Sequence, residues 1–132
     1  MRAKILNASA GSGKTYQLAY KYVRDVVEQP SIYRHILAVT FTNKATEEMK
    51  SRILKEIHLL ASGGESSYLE NLCRELDMDA ATVRRRAAEV RSKILHDYSR
   101  FTVLTIDTFF QRILRAFIKE LGIGLNYNVE IE

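Results

Sequence analysis

Apolar positions recur along this chain with two periods, and each change of period marks an element. In KTYQLAYKYVRDVVEQ, residues 14–29, Leu18, Tyr22, Val26 and Gln29 fall on one face of a helix. Pro30 stops that helix because it lacks an N–H and fixes φ. The preceding AKILN, residues 3–7, reads as a short strand. HILAVTF, residues 35–41, is a compact β-rich run of the kind buried in a parallel sheet. It leads into NKATEEMKSRILKEIHLLA, residues 43–61, where Met49, Ile53, Ile57 and Leu60 recur at helical spacing. Asn43 is the expected N-cap there, with Thr46 and Glu47 in the first turn.

SGGESS at 62–67 is the one low-complexity break, and a charged, alanine-rich helical insertion follows from about residue 68 to 99. FTVLTI, 101–106, returns to strand character. DTFFQRILRAFIKELG then reads as a helix with Asp107 as N-cap and Gly122 as stop, and NYNVEIE, 126–132, alternates like a last strand. The order predicts an α/β fold: a mainly parallel sheet, flanking helices and the helical insertion, with no internal repeat.

Composition adds limits. With 132 residues, 46% apolar, the chain suffices for about one domain. It has neither an N-terminal signal-like apolar run nor a run of about 18 apolar residues, so a soluble, cytoplasmic protein without a membrane partner is expected. A lone Cys73 excludes an internal disulfide and reads as a small core residue, while His35, His58 and His96 are too dispersed for a zinc motif. The net charge of +4 equals the surplus carried by Arg84, Arg85, Arg86, Arg91, Lys93 and Arg100 over Glu89 and Asp97. Such a stripe is either a solvated helix face or a track for nucleic-acid phosphates.

The chemistry is concentrated near the N-terminus. Ala8, Ser9, Ala10, Gly11, Ser12, Gly13, Lys14 and Thr15 follow a strand and open a helix, as in a P-loop, with Ala8 where the strict pattern has glycine. Glycines at 11 and 13 let successive N–H groups converge on phosphate oxygens, and the helix adds its positive end. Lys14 is the expected contact to the β and γ phosphates and Thr15 the ligand for Mg²⁺. Hydrolysis needs a further carboxylate at a strand end. Asp107 is the one candidate, yet it is followed by Thr108 and suits a helix N-cap better.

HILAVTFTNKATEEMKSRI, together with ASAGSGKT and TVLTIDTFFQRILRAF, closely resembles the UvrD/RecB/AddA-like superfamily 1 DNA helicases over nearly the whole chain. The resemblance implies a RecA-like P-loop NTPase domain using ATP and Mg²⁺. It implies that Ala8 to Thr15 bind ATP, and that alanine at position 8 is ordinary. It implies single-stranded DNA contacts at Thr40, Phe41, Thr42, Asn43 and Lys44, and along TIDTF at Thr105, Asp107 and Thr108. Phe41 is the expected base-stacking aromatic, since stacking tolerates any sequence. Phe109 is instead expected in the core, within an apolar face made by Phe110, Ile113, Leu114 and Phe117. Lys44 reads equally as a phosphate contact or a solvated lysine.

In that frame residues 1–61 and 100–132 are parts of the first motor domain. Residues 62–99 are an accessory 1B-like insertion over the duplex junction, which gives the basic stripe a DNA role. Two departures stand out. Only seven residues precede Ala8, without the family's adenine-reading glutamine motif, so adenine selectivity is expected to come from elsewhere, and the acidic Walker B motif and later helicase motifs do not occur in these 132 residues. The chain is therefore expected to be the N-terminal fragment of a longer helicase, inactive in unwinding alone, and the resemblance suggests a helicase-nuclease of recombinational repair. The alternative is a small P-loop kinase or nucleotide-binding regulator with Asp107 on the metal and no response to DNA. A pure DNA-binding module would require the Lys14-Thr15 pair to be coincidental.

Overall fold

The computed structural model describes residues 4–8 and 12–122, with side chains from Thr15 onward. The expected last strand, 126–132, lies outside the described residues. Strands β1 (Lys4–Ala8), β2 (Ile36–Thr40) and β3 (Thr102–Thr105) form a parallel sheet in the order β1-β2-β3. Around it run helices α1 (Ser12–Glu28), α2 (Asn43–Ser62), α3 (Leu69–Leu76), α4 (Ala80–His96) and α5 (Ile106–Glu120). The α/β class and the parallel sheet match the expectation from the sequence.

Local chemistry explains the breaks. Pro30 opens a short 3-10 turn, Pro30–His35, two residues after α1 ends. Gly63, at φ 84°, closes α2 with its N–H on the Leu59 carbonyl, a left-handed cap that costs glycine least. The 68–99 stretch is not one helix. Asp77, at φ 53°, ends α3, and the Asp79 carboxylate accepts from the Thr82 N–H to start α4. Two aspartates around Met78 thus act as stop and start, a signal hidden in a highly charged segment.

One core joins the helices to one sheet face. Ile36 and Ala38, alternate residues of β2, meet Tyr22, Val23 and Val26 of α1 and Met49, Ile53 and Ile57 of α2. The buried face of α1 is Ala19, Tyr22, Val23, Val26 and Val27, whereas Leu18 is half-buried and Gln29 exposed, so the face is rotated from the one expected. Helix α4 adds Val83, Ala87, Val90 and Ile94 at helical spacing, and α3 adds Leu72, so the 62–99 segment shares the core of α1 and α2. Cys73 is a free, half-buried thiol beside this core.

Several bases of the stripe have structural partners. Arg84 Nη1 donates to the carbonyls of Leu60 and Gly64 at 3.1 Å and of Leu59 at 3.4 Å. Arg86 Nη1 donates to the Glu28 carbonyl at 2.6 Å. These carbonyls lie at the C-terminal ends of α2 and α1, where helix oxygens lack intrahelical donors. Arg91 meets His58 Nδ1 at 3.2 Å.

Helix α5 departs from expectation. None of its residues is buried, and Phe110, Ile113 and Phe117 are 62%, 49% and 56% exposed, with Phe109 half-buried. The cause is layer geometry. Helices α1 and α2 cover the Ile36–Ala38 face, while α5 contacts β2 and β3 with no further described element over its apolar side. Among the described residues no helix is long and apolar enough to cross a membrane, and no group of three metal-ligating side chains forms.

Two tyrosine predictions follow from burial. The Tyr22 hydroxyl is buried with no hydrogen-bond partner, while its ring packs edge-on against Phe101 at 5.5 Å. Tyr22→Phe keeps the ring contact and removes the unsatisfied hydroxyl, so urea denaturation should show a gain of about 1 kcal/mol. Burial and the hydrogen bond to Glu75 push Tyr20 up from 10.0 to about 12, and burial likewise raises Tyr22 and Tyr68. Between pH 10 and 12 the folded chain therefore holds more protons than the unfolded one. Stability should be unaffected by these groups below that window and fall through it, with tyrosinate absorbance showing a late, unfolding-linked fraction.

Candidate functional site

Parallel pairing brings the C-terminal ends of all three strands to one edge of the sheet. The register sets Ala8 beside Thr40, and Thr40 beside Thr105. Three segments far apart in sequence therefore meet in one row. Helices α1, α2 and α5 begin just beyond it, at Ser12, Asn43 and Ile106, so three helix N-termini lie at the edge where α/β proteins bind ligands.

Ser9, Ala10 and Gly11 lie outside the described residues, as do the side chains of Ala8, Ser12, Gly13 and Lys14. Their backbone context is clear on both sides: β1 ends at Ala8 and α1 starts at Ser12, putting Gly13, Lys14 and Thr15 in its first turn. Thr15 is buried, 7% exposed, and lines a cleft of about 420 Å³ between α1 and α2. Tyr16, Glu48, Ser51, Arg52 and Lys55 continue its walls. The Arg52 guanidinium lies 5.3 Å from the Tyr16 ring centroid, and the Tyr16 hydroxyl donates to Ser67 Oγ at 3.0 Å. Neither Tyr16 nor Arg52 stands out in the sequence, because each sits at an ordinary helical position. A search for charged residues at four-residue spacing, here Glu48 and Arg52, is the signal that finds this face.

The second segment is a turn with inner and outer sides. Phe41 is 51% exposed, and Thr42, Asn43 and Lys44 are exposed with it. Thr40 is buried, 1% exposed, and its Oγ1 lies 2.6 Å from Thr46 Oγ1 and 3.3 Å from the Leu104 carbonyl. Its hydroxyl faces inward and presents nothing at the surface. Thr42, not Asn43, is the N-cap of α2: its extended backbone turns its Oγ1 to accept from the Ala45 N–H at 3.0 Å. Asn43 is the first helical residue.

The third segment repeats the device. Thr105, not Asp107, caps α5, its Oγ1 accepting from the Thr108 N–H at 3.3 Å and donating to Thr108 Oγ1 at 3.0 Å. The strand is extended only to Thr105, so the helix begins one residue before the expected cap. Asp107 sits exposed in the first turn, where its charge complements the helix dipole. Thr105 and Thr108 are half-buried and bonded to each other.

Strand ends that each lead into a helix N-terminus define an α/β protein with its helix starts gathered at one sheet edge. The UvrD/REP helicase N-terminal domain family matches residues 2–132, and the chain belongs to that family. It is 30% identical to the RecBCD enzyme subunit RecB of Haemophilus influenzae, over 92% of this chain and 11% of that protein. It is 29% identical to the corresponding RecB of Escherichia coli, over 90% of this chain and 11% of that protein. It is also 29% identical to an ATP-dependent helicase/nuclease subunit of Lactobacillus delbrueckii, over 95% of this chain and 9% of that protein. The chain thus spans about a tenth of the length of these relatives. No solved structure matches it.

The cap assignment is testable by stability alone. Thr42→Ala should cost about 1 kcal/mol in chemical denaturation. Asn43→Ala should change stability by less than about 0.5 kcal/mol, as at an ordinary exposed site. A reversed order would restore Asn43 as the cap.

Proposed function

We propose that this chain is the opening part of the first RecA-like motor domain of an ATP-dependent DNA helicase, and that the longer protein is a cytoplasmic helicase-nuclease of DNA repair. The single observation that carries the reading is the row Ala8–Thr40–Thr105, which gathers the glycine-loop segment and both DNA-side segments at one sheet edge. Family membership supports the same conclusion.

The residues fit ATP–Mg²⁺. A strand ending at Ala8 and a helix starting at Ser12 leave the loop length that a phosphate-binding turn requires. In this reading the N–H groups of Ser9 to Lys14 bind phosphate oxygens, Lys14 neutralises the β and γ phosphates, and Thr15 offers its hydroxyl to Mg²⁺. Bound ATP supplies the anhydride whose hydrolysis drives the motor. Phe41 stacks on a DNA base, while Thr42, Asn43 and Lys44 meet the strand around it. Thr40, Thr105 and Thr108 shape the turns from within, and Asp107 supports the start of α5. The remainder of the longer protein would contribute the missing carboxylate, the second motor domain and the contacts to the duplex junction. Residues 62–99, as an accessory 1B-like insertion, keep exposed Arg85 and the adjoining Arg100 for DNA phosphates, since Arg84 and Arg86 already cap helices.

Asp107 lies in the first turn of α5, beyond β3, which β2 separates from β1. The kinase-like alternative would need it on the metal, whereas the helicase reading leaves it to support the start of α5.

The test is the ATPase rate of the full-length protein with and without single-stranded DNA. Wild type should be stimulated, and Phe41→Ala should raise the DNA concentration for half-stimulation by about 5- to 150-fold, equivalent to about 1–3 kcal/mol of lost stacking. A rate indifferent to DNA would sink the proposal.

A further inference from the structure

We infer that Thr46, a residue with no surface role, is the positioning residue that locks the Phe41 turn to the end of β3 and so sets both DNA-side segments as one rigid unit. The inference rests on the helicase reading for its functional consequence, though the lock itself stands on geometry alone.

Thr46 lies one turn into α2 and is 8% exposed. Its Oγ1 is 2.6 Å from Thr40 Oγ1 and 3.1 Å from the Thr42 carbonyl, and its backbone N–H donates to that same carbonyl at 3.0 Å. Thr40 Oγ1 in turn reaches the carbonyls of Thr42 and Leu104, both at 3.3 Å. Each hydroxyl has a single proton. Three arrangements satisfy the group. In two of them Thr46 donates to Thr40, and Thr40 donates either to the Leu104 carbonyl or to the Thr42 carbonyl. In the third, Thr46 donates to the Thr42 carbonyl and Thr40 donates to Thr46. In all three, Thr46 is bonded to the residues on either side of Phe41, which fixes the backbone of the turn that carries it.

The link to β3 matters because Leu104 directly precedes Thr105, whose own hydroxyl starts α5. When Thr46 donates to Thr40, the Thr40 proton is left for the Leu104 carbonyl, and the turn holding Phe41 is tied to the segment holding Thr105 and Thr108. Both threonines are buried, so water does not compete for these bonds.

Thr46→Val removes the hydroxyl at nearly constant shape, and Thr46→Ser retains it. In the full-length protein, amide hydrogen exchange at Phe41 to Ala45 should accelerate about tenfold in Thr46→Val and return to the wild-type rate in Thr46→Ser. In the full-length protein, Thr46→Val should raise the single-stranded DNA concentration for half-stimulation of ATPase about tenfold, with the DNA-free rate within twofold of wild type. Combined with Phe41→Ala it should add nothing further, because both changes disable one unit. Should Thr46→Val not fold, Thr46→Ala gives the same readouts without methyl crowding. Wild-type exchange rates in the folded Thr46→Val chain would overturn the lock. Faster exchange with unchanged half-stimulation would overturn its DNA role. A wild-type enzyme blind to DNA would instead defeat the helicase reading and leave the exchange result to decide the lock.

Discussion

Parallel pairing of β2 with β1 on one side and β3 on the other is the constraint on which the rest depends. Parallel strands share a direction, so their carboxyl ends share an edge, and every helix that follows a strand starts there. That single fact gives three helix N-termini a common address. It also explains why the threonines carry so much local structure. Thr42 and Thr105 each sit in extended backbone at a strand-to-helix junction, where a short hydroxyl reaches the first free N–H groups.

Much of this is legible in the chain itself. Period-two and helical patterns locate all three described strands within a residue or two, and the glycine loop between β1 and α1 stands out through its context. What escapes is of two kinds. Cap positions slip by one or two residues, from Thr42 to Asn43 and from Thr105 to Asp107, because serine, threonine, asparagine and aspartate all satisfy the same rule and only backbone geometry chooses among them. Burial escapes where it depends on neighbours. The apolar face of α5 has a helical pattern as good as that of α4, yet Val90 is buried and Phe110 is open, since a pattern states which side is greasy and not what covers it. Tyr16 and Arg52 are invisible for a related reason, as their pairing exists only once α1 and α2 pack.

The basic stripe shows how composition misleads in a small helical layer. A positive surplus invites a polyanion, but Arg84 and Arg86 are long enough to reach across to neighbouring helices and satisfy carbonyls at two C-termini. A guanidinium suits that task because it presents several donors in a plane and keeps its charge at any accessible pH. The charge is then part of how α4 is seated on α1 and α2, and its loss would be felt as a packing defect. Only the bases that point outward remain for other partners.

The bond from Thr40 to the Leu104 carbonyl spans 64 residues of sequence. Closing so large a loop carries an entropy that must be overcome before the contact returns anything, and non-local parallel pairing is slow for that reason. β1, α1, β2 and α2 are local in sequence, whereas β3 pairs with β2 across the whole of α2, α3 and α4. The edge where the three segments meet therefore closes the longest loop in the sheet and bears its largest closure entropy.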